Sequence, residues 1–188
     1  MTLGISLDIE TLSTHKDAVV LSIGASTISL NGAPQGVFHC LVDAQEQIDA
    51  GRHVSFDTLV WWIQQSGEAQ TAAMLGERLT VDMALTCLRT WIAQHGDVPV
   101  WTKGPGFDGA ILESLAEQNK IKPAWSYRSH RDVRTIEDAV HMSKDDLLYE
   151  RYYKVTASAN VKGVAHNALD DAKQQGAVVQ WWLQELSA

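Results

Sequence analysis

Five side chains in this 188-residue sequence have types and spacings that could do chemistry: Asp8 and Glu10, Asp108, and His166 with Asp171. Asp8 and Glu10 stand two positions apart at the end of an apolar run, residues 3–9. On a pleated strand, positions i and i+2 share a face, so the two carboxylates lie side by side. Like charges that close are unfavourable unless one is protonated or a cation sits between them. A strand end turning polar as it leaves the core would explain the pair equally well. Asp108 follows a glycine loop and falls in the first turn of an expected helix, where a carboxylate also meets the positive end of the helix dipole. In the run His166-Asn-Ala-Leu-Asp170-Asp171, Asn167 is expected to cap the last helix, with Asp170 at N3 as a capping-box-like acceptor. At 100° per residue, Asp171 lies about 60° from Ala168 and flanks the inward stripe, whereas Asp170 points nearly the opposite way, toward the surface.

These positions are far apart in the chain, so secondary structure must gather them. Residues 3–9, 18–30 and 37–42 read as a strand followed by a hairpin, broken at Asn31-Gly32 and Ala33-Pro34. From Ser55, the expected cap, the period changes: Phe56, Leu59, Val60 and Ile63 form one face of a short helix. Residues 81–94 repeat that pattern through Met83, Ala84, Cys87, Leu88, Trp91 and Ile92, and Gly96 ends it. Residues 97–101 form a short strand and 107–118 a helix through Ile111, Leu112 and Leu115. Residues 135–165 read as mixed helix and loop. The longest helix spans 167–186, with Ala168, Ala172, Val179, Trp182, Leu183 and Leu186 in a stripe. Early strands followed by alternating helix and strand predict an α/β domain with a mixed central sheet flanked by helices.

The composition narrows the class. With 45% apolar residues and 20% charged, the sequence is neither disordered nor fibrous, and its length suits one domain over residues 1–188. Cys40 and Cys87 encode neither a disulfide framework nor a zinc ribbon. Residues 18–42 are uncharged but too polar to span a bilayer, and residues 1–15 lack the basic start of a signal peptide, so a cytoplasmic protein without membrane contact is expected. A net charge of −8 argues against a uniformly basic nucleic-acid-binding face. It leaves room for an acidic cluster whose sign changes locally when it binds divalent metal.

Asp8-Ile-Glu10-Thr11, Gly106-Phe107-Asp108 and His166-x-Ala168-x-x-Asp171-Ala172, in that order, resemble the three exonuclease motifs of the DEDDh superfamily of 3′-5′ exonucleases. Trp61-Trp62-Ile-Gln-Gln-Ser66, residues 100–108 and Arg131-Asp-Val-Arg-Thr135 are similar to a branch containing a phage exonuclease A and a bacterial adenylate-preferring 3′-5′ exoribonuclease. The resemblance implies an RNase H-like fold and 3′-to-5′ hydrolysis of single-stranded DNA or RNA to nucleoside 5′-monophosphates. It further implies Asp8, Glu10, Asp108 and Asp171 as ligands of two Mg²⁺ or Mn²⁺ ions, and His166 as general base. Hard ions favour such oxygen ligands, and two of them serve an attacking water and a leaving oxygen. A histidine base predicts activity falling below about pH 6–6.5. Leu12 stands where the superfamily often places an apolar wedge against the terminal base. Thr11 offers backbone and hydroxyl contacts there, and Phe107 belongs to the same expected substrate contacts. Lys103 departs from the small or amide residue expected in its loop.

Weaker signals surround this set. Trp61 faces away from the Phe56–Ile63 stripe and suits base stacking, a subunit interface or helix packing. The tryptophan pairs and the superfamily's habit motivate an expected homodimer. Arg128, Arg131 and Arg134 with His130 form the densest basic cluster. Arg131 is taken from it as a phosphate contact, against the alternative of a solvated surface. Residues 104–109 match G-x-G-x-x-G literally, so an NAD-binding oxidoreductase is a rival; Asp108 would repel the pyrophosphate, and the acid expected about 20 residues on is missing. A non-catalytic nucleic-acid-binding module is the other rival.

Overall fold

Alternation within one strand sets the architecture. In β1 (Gly4–Thr11), Ile5, Leu7 and Ile9 point to one side of the sheet, and Ser6, Asp8 and Glu10 to the other. The computed structural model describes residues 2–30, 33–160 and 163–187. β1 pairs antiparallel with β2 (Val20–Ile28), which pairs antiparallel with β3 (Val37–Val42). The Asn31-Gly32 breaker between them lies outside the described residues. The short strands β4 (Arg78–Leu79), β5 (Val100–Thr102) and β6 (His130–Asp132) join in parallel, giving a mixed six-stranded sheet ordered β4-β3-β2-β1-β5-β6.

The apolar face holds the main core. Ile5, Leu7, Ile9, Ile23 and Ala25 pack beneath α4 (Val81–Ala93) and α5 (Asp108–Gln118), which contribute Ala84, Leu88, Ile92, Ile111 and Leu115. In α4, Met83 and Cys87 turn outward while Leu85 takes an inward place. Ile5, Leu7, Ile23, Leu88 and Leu115, each fully buried here, together supply on the order of 10 kcal/mol of transfer free energy, at about 1.5–3 kcal/mol each.

The opposite face is built from small residues. Ser6 on β1 and Ser22, Gly24 and Ser26 on β2 leave a shallow trough, and α8 (Ala168–Glu185) lies in it. A Cβ on Gly24 would stand 2.2 Å from the carbonyl carbon of Ala168, and one on Gly176 would stand 3.3 Å from Ser6 Cβ. Close approach comes at a polar cost, because the hydroxyls of Ser6, Ser22 and Ser26 are buried without a hydrogen-bond partner among the described residues. Beside α8, α6 (Val133–Met142) and α7 (Asp146–Asn160) complete the layer, with Val133, Ile136, Val178 and Val179 packed against Ile28. Most of the span expected as mixed helix and loop is therefore two helices.

Two further expectations change. The helix α2 (Phe56–Gln64) has the expected cap, Ser55 Oγ accepting from the Thr58 N–H, yet Phe56 and Ile63 are 76% and 75% exposed. Trp62 is the buried anchor instead: it packs on Leu12, Val19 and Leu21, and its Nε1–H donates to the Thr11 carbonyl at 2.9 Å. One indole offers more area than the aliphatic stripe and finds a partner for its polar atom, which decides the helix's rotation. Helices α1 (Ala44–Asp49) and α3 (Gly67–Met74) carry no strong apolar period and were not expected. Among the described residues no helix is long and apolar enough to cross a membrane.

Candidate active site

Three elements and one turn deliver the five chemical side chains to one cavity of about 580 Å³. Asp8 and Glu10 stand on the trough face of β1, opposite Gly24 and Ser22. A register shift follows between Glu10 and Thr11, ending regular pairing where the carboxylates enter the cavity. β5 spans three residues and pairs with β1 only at Ile5 and Ser6, so the edge of β1 beyond Ser6 is left for the N-terminus of α5 and its Asp108. α8 brings Asp171, and the turn before it brings His166.

That turn is locked by its own sequence. Asn167 caps α8, accepting from the N–H groups of Leu169 and Asp170. Asp171 Oδ2 accepts the His166 N–H at 3.1 Å, and Asp170 Oδ2 accepts the Val164 N–H at 3.1 Å, so Asp170 braces the turn instead of closing a capping box. His166 sits at φ 62, a left-handed conformation held by those contacts. Its ring meets the edge of Trp61 at 4.7 Å between centroids. Ligating atoms of Glu10, His166 and Asp171 lie within 4.8 Å of one another.

The electrostatics are those of crowded acids. Burial pushes Glu10 up to about 8, with the charges of Asp171 and Asp108 adding to it. Asp108 is raised to about 7 by burial, while backbone hydrogen bonds at Ile9 and Asp108 and the nearby Arg134 pull it back. Asp8 is raised well above the usual carboxylate range, by burial and then by Asp108, Glu10 and Asp171, against a hydrogen bond from Gln175. Burial also raises Asp171, opposed by the backbone N–H and charge of His166. Such a set of crowded oxygen donors, raised by burial and by one another's charge, fits a hard divalent cation.

The other expected contacts divide. Phe107 lines the cavity, and Trp61 flanks it through His166 at 39% exposure. Thr11 and Leu12 are buried and do not line it: the Thr11 hydroxyl donates to the Ser13 carbonyl at 2.7 Å, and Leu12 packs against Trp62. Arg131 is exposed outside the cavity, its guanidinium donating to the carbonyls of Arg128 and His130. Arg134 lines the cavity in its place, with Lys103, Glu137 and Tyr152. Trp181 is buried against Tyr152 and Trp182, so both tryptophan pairs make contacts within the chain. Gln175 escaped the sequence reading; its Nε2 donates to Asp8 Oδ1 at 2.7 Å. A polar residue one turn after Asp171, on the inward stripe, was the available signal.

The literal glycine fingerprint is filled by the chain itself. A Cβ on Gly104 would stand 2.8 Å from Arg134 Nη1, and one on Gly109 would stand 1.8 Å from His130 Cε1. Those glycines admit side chains of the chain, which removes the ground for a dinucleotide reading.

Comparison with known proteins agrees. Residues 4–183 match the family model described as a 3′-5′ exoribonuclease Rv2179c-like domain. No curated protein matches the chain in sequence. Among solved structures, the nuclease domain of 3′hExo, a DEDDh family member, bound to rAMP, is similar with a TM-score of 0.61 at 13% identity, over 97% of this chain and 92% of that one. S. pombe Pop2p in its Mg²⁺ and Mn²⁺ bound form gives 0.58 at 13% identity, over 96% and 82%. E. coli Exonuclease I in complex with a dA16 oligonucleotide gives 0.57 at 15%, over 96% and 40%. These likenesses establish the expected RNase H-like fold.

Proposed function

The chain belongs to the Rv2179c-like 3′-5′ exoribonuclease domain family and is a 3′-5′ exonuclease, and from that premise we propose that it is of the DEDDh type and how its cavity works. Residues 1–188 act as one catalytic domain that removes nucleoside 5′-monophosphates from single-stranded 3′ ends, with RNA as the substrate that the family description favours. Asp8, Glu10, Asp108 and Asp171 hold two Mg²⁺ or Mn²⁺ ions. When bound, these ions supply an activated water and neutralise charge on the phosphorane and the leaving 3′-oxygen.

The chain's own groups do the rest. His166 takes the proton from the attacking water as its oxygen bonds to phosphorus and the P–O3′ bond breaks. The hydrogen bond from its backbone N–H to Asp171 fixes where the ring stands, and Trp61 limits its swing. General-base assistance of this kind contributes about 10²–10⁴ in rate. Gln175 orients Asp8 before any ion arrives. Phe107 forms apolar cavity wall for the terminal nucleotide. The observation that carries the reading is the convergence of four acids, from three separated stretches of sequence, around one histidine.

Matched 5′-labelled RNA and DNA strands with Mg²⁺ or Mn²⁺ test it. The expected result is a ladder shortening from the 3′ end, faster on RNA, and abolished by EDTA. His166→Ala should lose cleavage yet retain Mn²⁺ binding by calorimetry. The geometry also groups His166 with Glu10 and Asp171 as a ligand trio. Loss of Mn²⁺ binding in His166→Ala would select that second reading and reject the base role.

A further inference from the structure

One wall of the cavity has no part in the hydrolytic machinery. It carries Lys103 from the β5–α5 loop, Arg134 and Glu137 from α6, and Tyr152 from α7. Lys103 Nζ donates to Glu137 Oε1 at 2.8 Å, and the Tyr152 hydroxyl donates to the same oxygen at 3.2 Å. Arg134 is engaged differently. Its guanidinium lies over Gly104, whose φ of +113 and missing side chain make the room. Among the described residues that guanidinium makes no hydrogen bond or ion pair; only a longer-range attraction to Asp108 reaches it. An arginine lining a cavity with its planar fork of donors uncommitted is suited to two oxygens of one tetrahedral oxyanion.

The same cavity must admit a polyanion past four carboxylates. Cations on the far wall supply the attraction that the acids, before metal binds, do not. We propose that Arg134 and Lys103 grip a phosphate of the substrate strand, and that Glu137 holds Lys103 in place until that phosphate displaces it. This rests on the nuclease reading and extends it to how the strand is held. Arg134 supplies the bidentate contact and Lys103 a movable point charge. The Lys103 side chain is 44% exposed in its pair with Glu137, and exposed pairs of this kind are weak enough to exchange. Tyr152 keeps Glu137 oriented, so the carboxylate waits where the phosphate will arrive.

Steady-state kinetics on a labelled single-stranded RNA, across a range of NaCl concentrations, test the proposal. Arg134→Ala should raise KM about tenfold, the size of one lost charge-assisted contact. It should also reduce the slope of log(kcat/KM) against log[NaCl] by about 0.7, the value for one phosphate contact on a single strand. Arg134→Lys should recover the slope and only part of the KM. Glu137→Gln should act in the opposite direction, lowering KM about two- to threefold by freeing Lys103. A purely structural role predicts the reverse for Glu137→Gln, a higher KM with a lower Tm, and that result overturns the proposal. Equal salt slopes for wild type and Arg134→Ala overturn it as well. Either failure leaves wild-type cleavage intact, whereas a wild-type chain that cleaves neither RNA nor DNA overturns the nuclease reading together with this extension.

Discussion

On one face of the central sheet, Ile5, Leu7 and Ile9 lie under α4 and α5 in a close-packed apolar core. On the other, Ser6, Asp8 and Glu10 lie under α8, beside Ser22, Gly24 and Ser26. The two faces alternate along the same eight residues of β1. Burial on the first face lowers the free energy of folding. Burial on the second raises it, through three unpartnered hydroxyls and a set of acids pushed toward protonation. One strand therefore stabilises the fold on one side and, on the other, spends part of that stability on holding carboxylates together. The small residues of the trough are what let α8 approach closely enough to add Asp171 and Gln175 to the set.

Substitutions on the two faces should therefore fail differently. Asp8→Asn should have the largest effect on function, more than about 10³-fold off kcat/KM, on the order of 4 kcal/mol. It should nevertheless raise the Tm of the metal-free chain at pH 8, because a repelled carboxylate is removed; calorimetric melting beside the cleavage assay checks both signs. Leu7→Ala should do the opposite, costing about 2–5 kcal/mol of stability in denaturant unfolding while the residual folded protein keeps its metal affinity. Gly24→Ala sharpens the contrast. Its methyl group meets the backbone of α8, so it should cost about 1–3 kcal/mol and also lower kcat, by shifting Asp171 relative to Asp8. If Gly24→Ala lost stability alone, the trough would be mere packing and the comparison would fail.

The chemistry of the site was more legible in the sequence than its surroundings. Asp8 and Glu10 share a face by strand alternation, and Asp171 turns inward by helical arithmetic, because both rules act over a few residues. The rotation of α2 was not legible: the Phe56–Ile63 stripe looks like a buried face, yet Trp62 wins through contacts with Leu12, Val19 and the Thr11 carbonyl, some 40 to 50 residues away in sequence. The same non-local cause hid Arg134. Arg131 and Arg134 are alike as sequence, and only the pairing of β6 with β5 and the gap at Gly104 turn one outward and the other into the cavity. Lys103 looked anomalous for want of its partner Glu137, which α6 supplies from 34 positions away.

The central claim is that the acids which burial and mutual repulsion raise are the ligands of divalent cations, and titration of Mn²⁺ with proton release measured in buffers of differing ionisation enthalpy tests it most directly. In the metal-free chain Glu10 titrates at about 8 and Asp108 at about 7, above their unfolded values near 4. The stability they contribute is therefore complete below about pH 4 and is lost as pH rises toward 8. Bound metal needs the ionised forms, so protons must leave when it enters. The account predicts Mn²⁺ affinity that climbs between pH 6 and about 8, one or more protons released per chain at pH 7, and a weaker, less proton-coupled isotherm in Glu10→Gln. Binding without proton release, or an isotherm unchanged by Glu10→Gln, would contradict it.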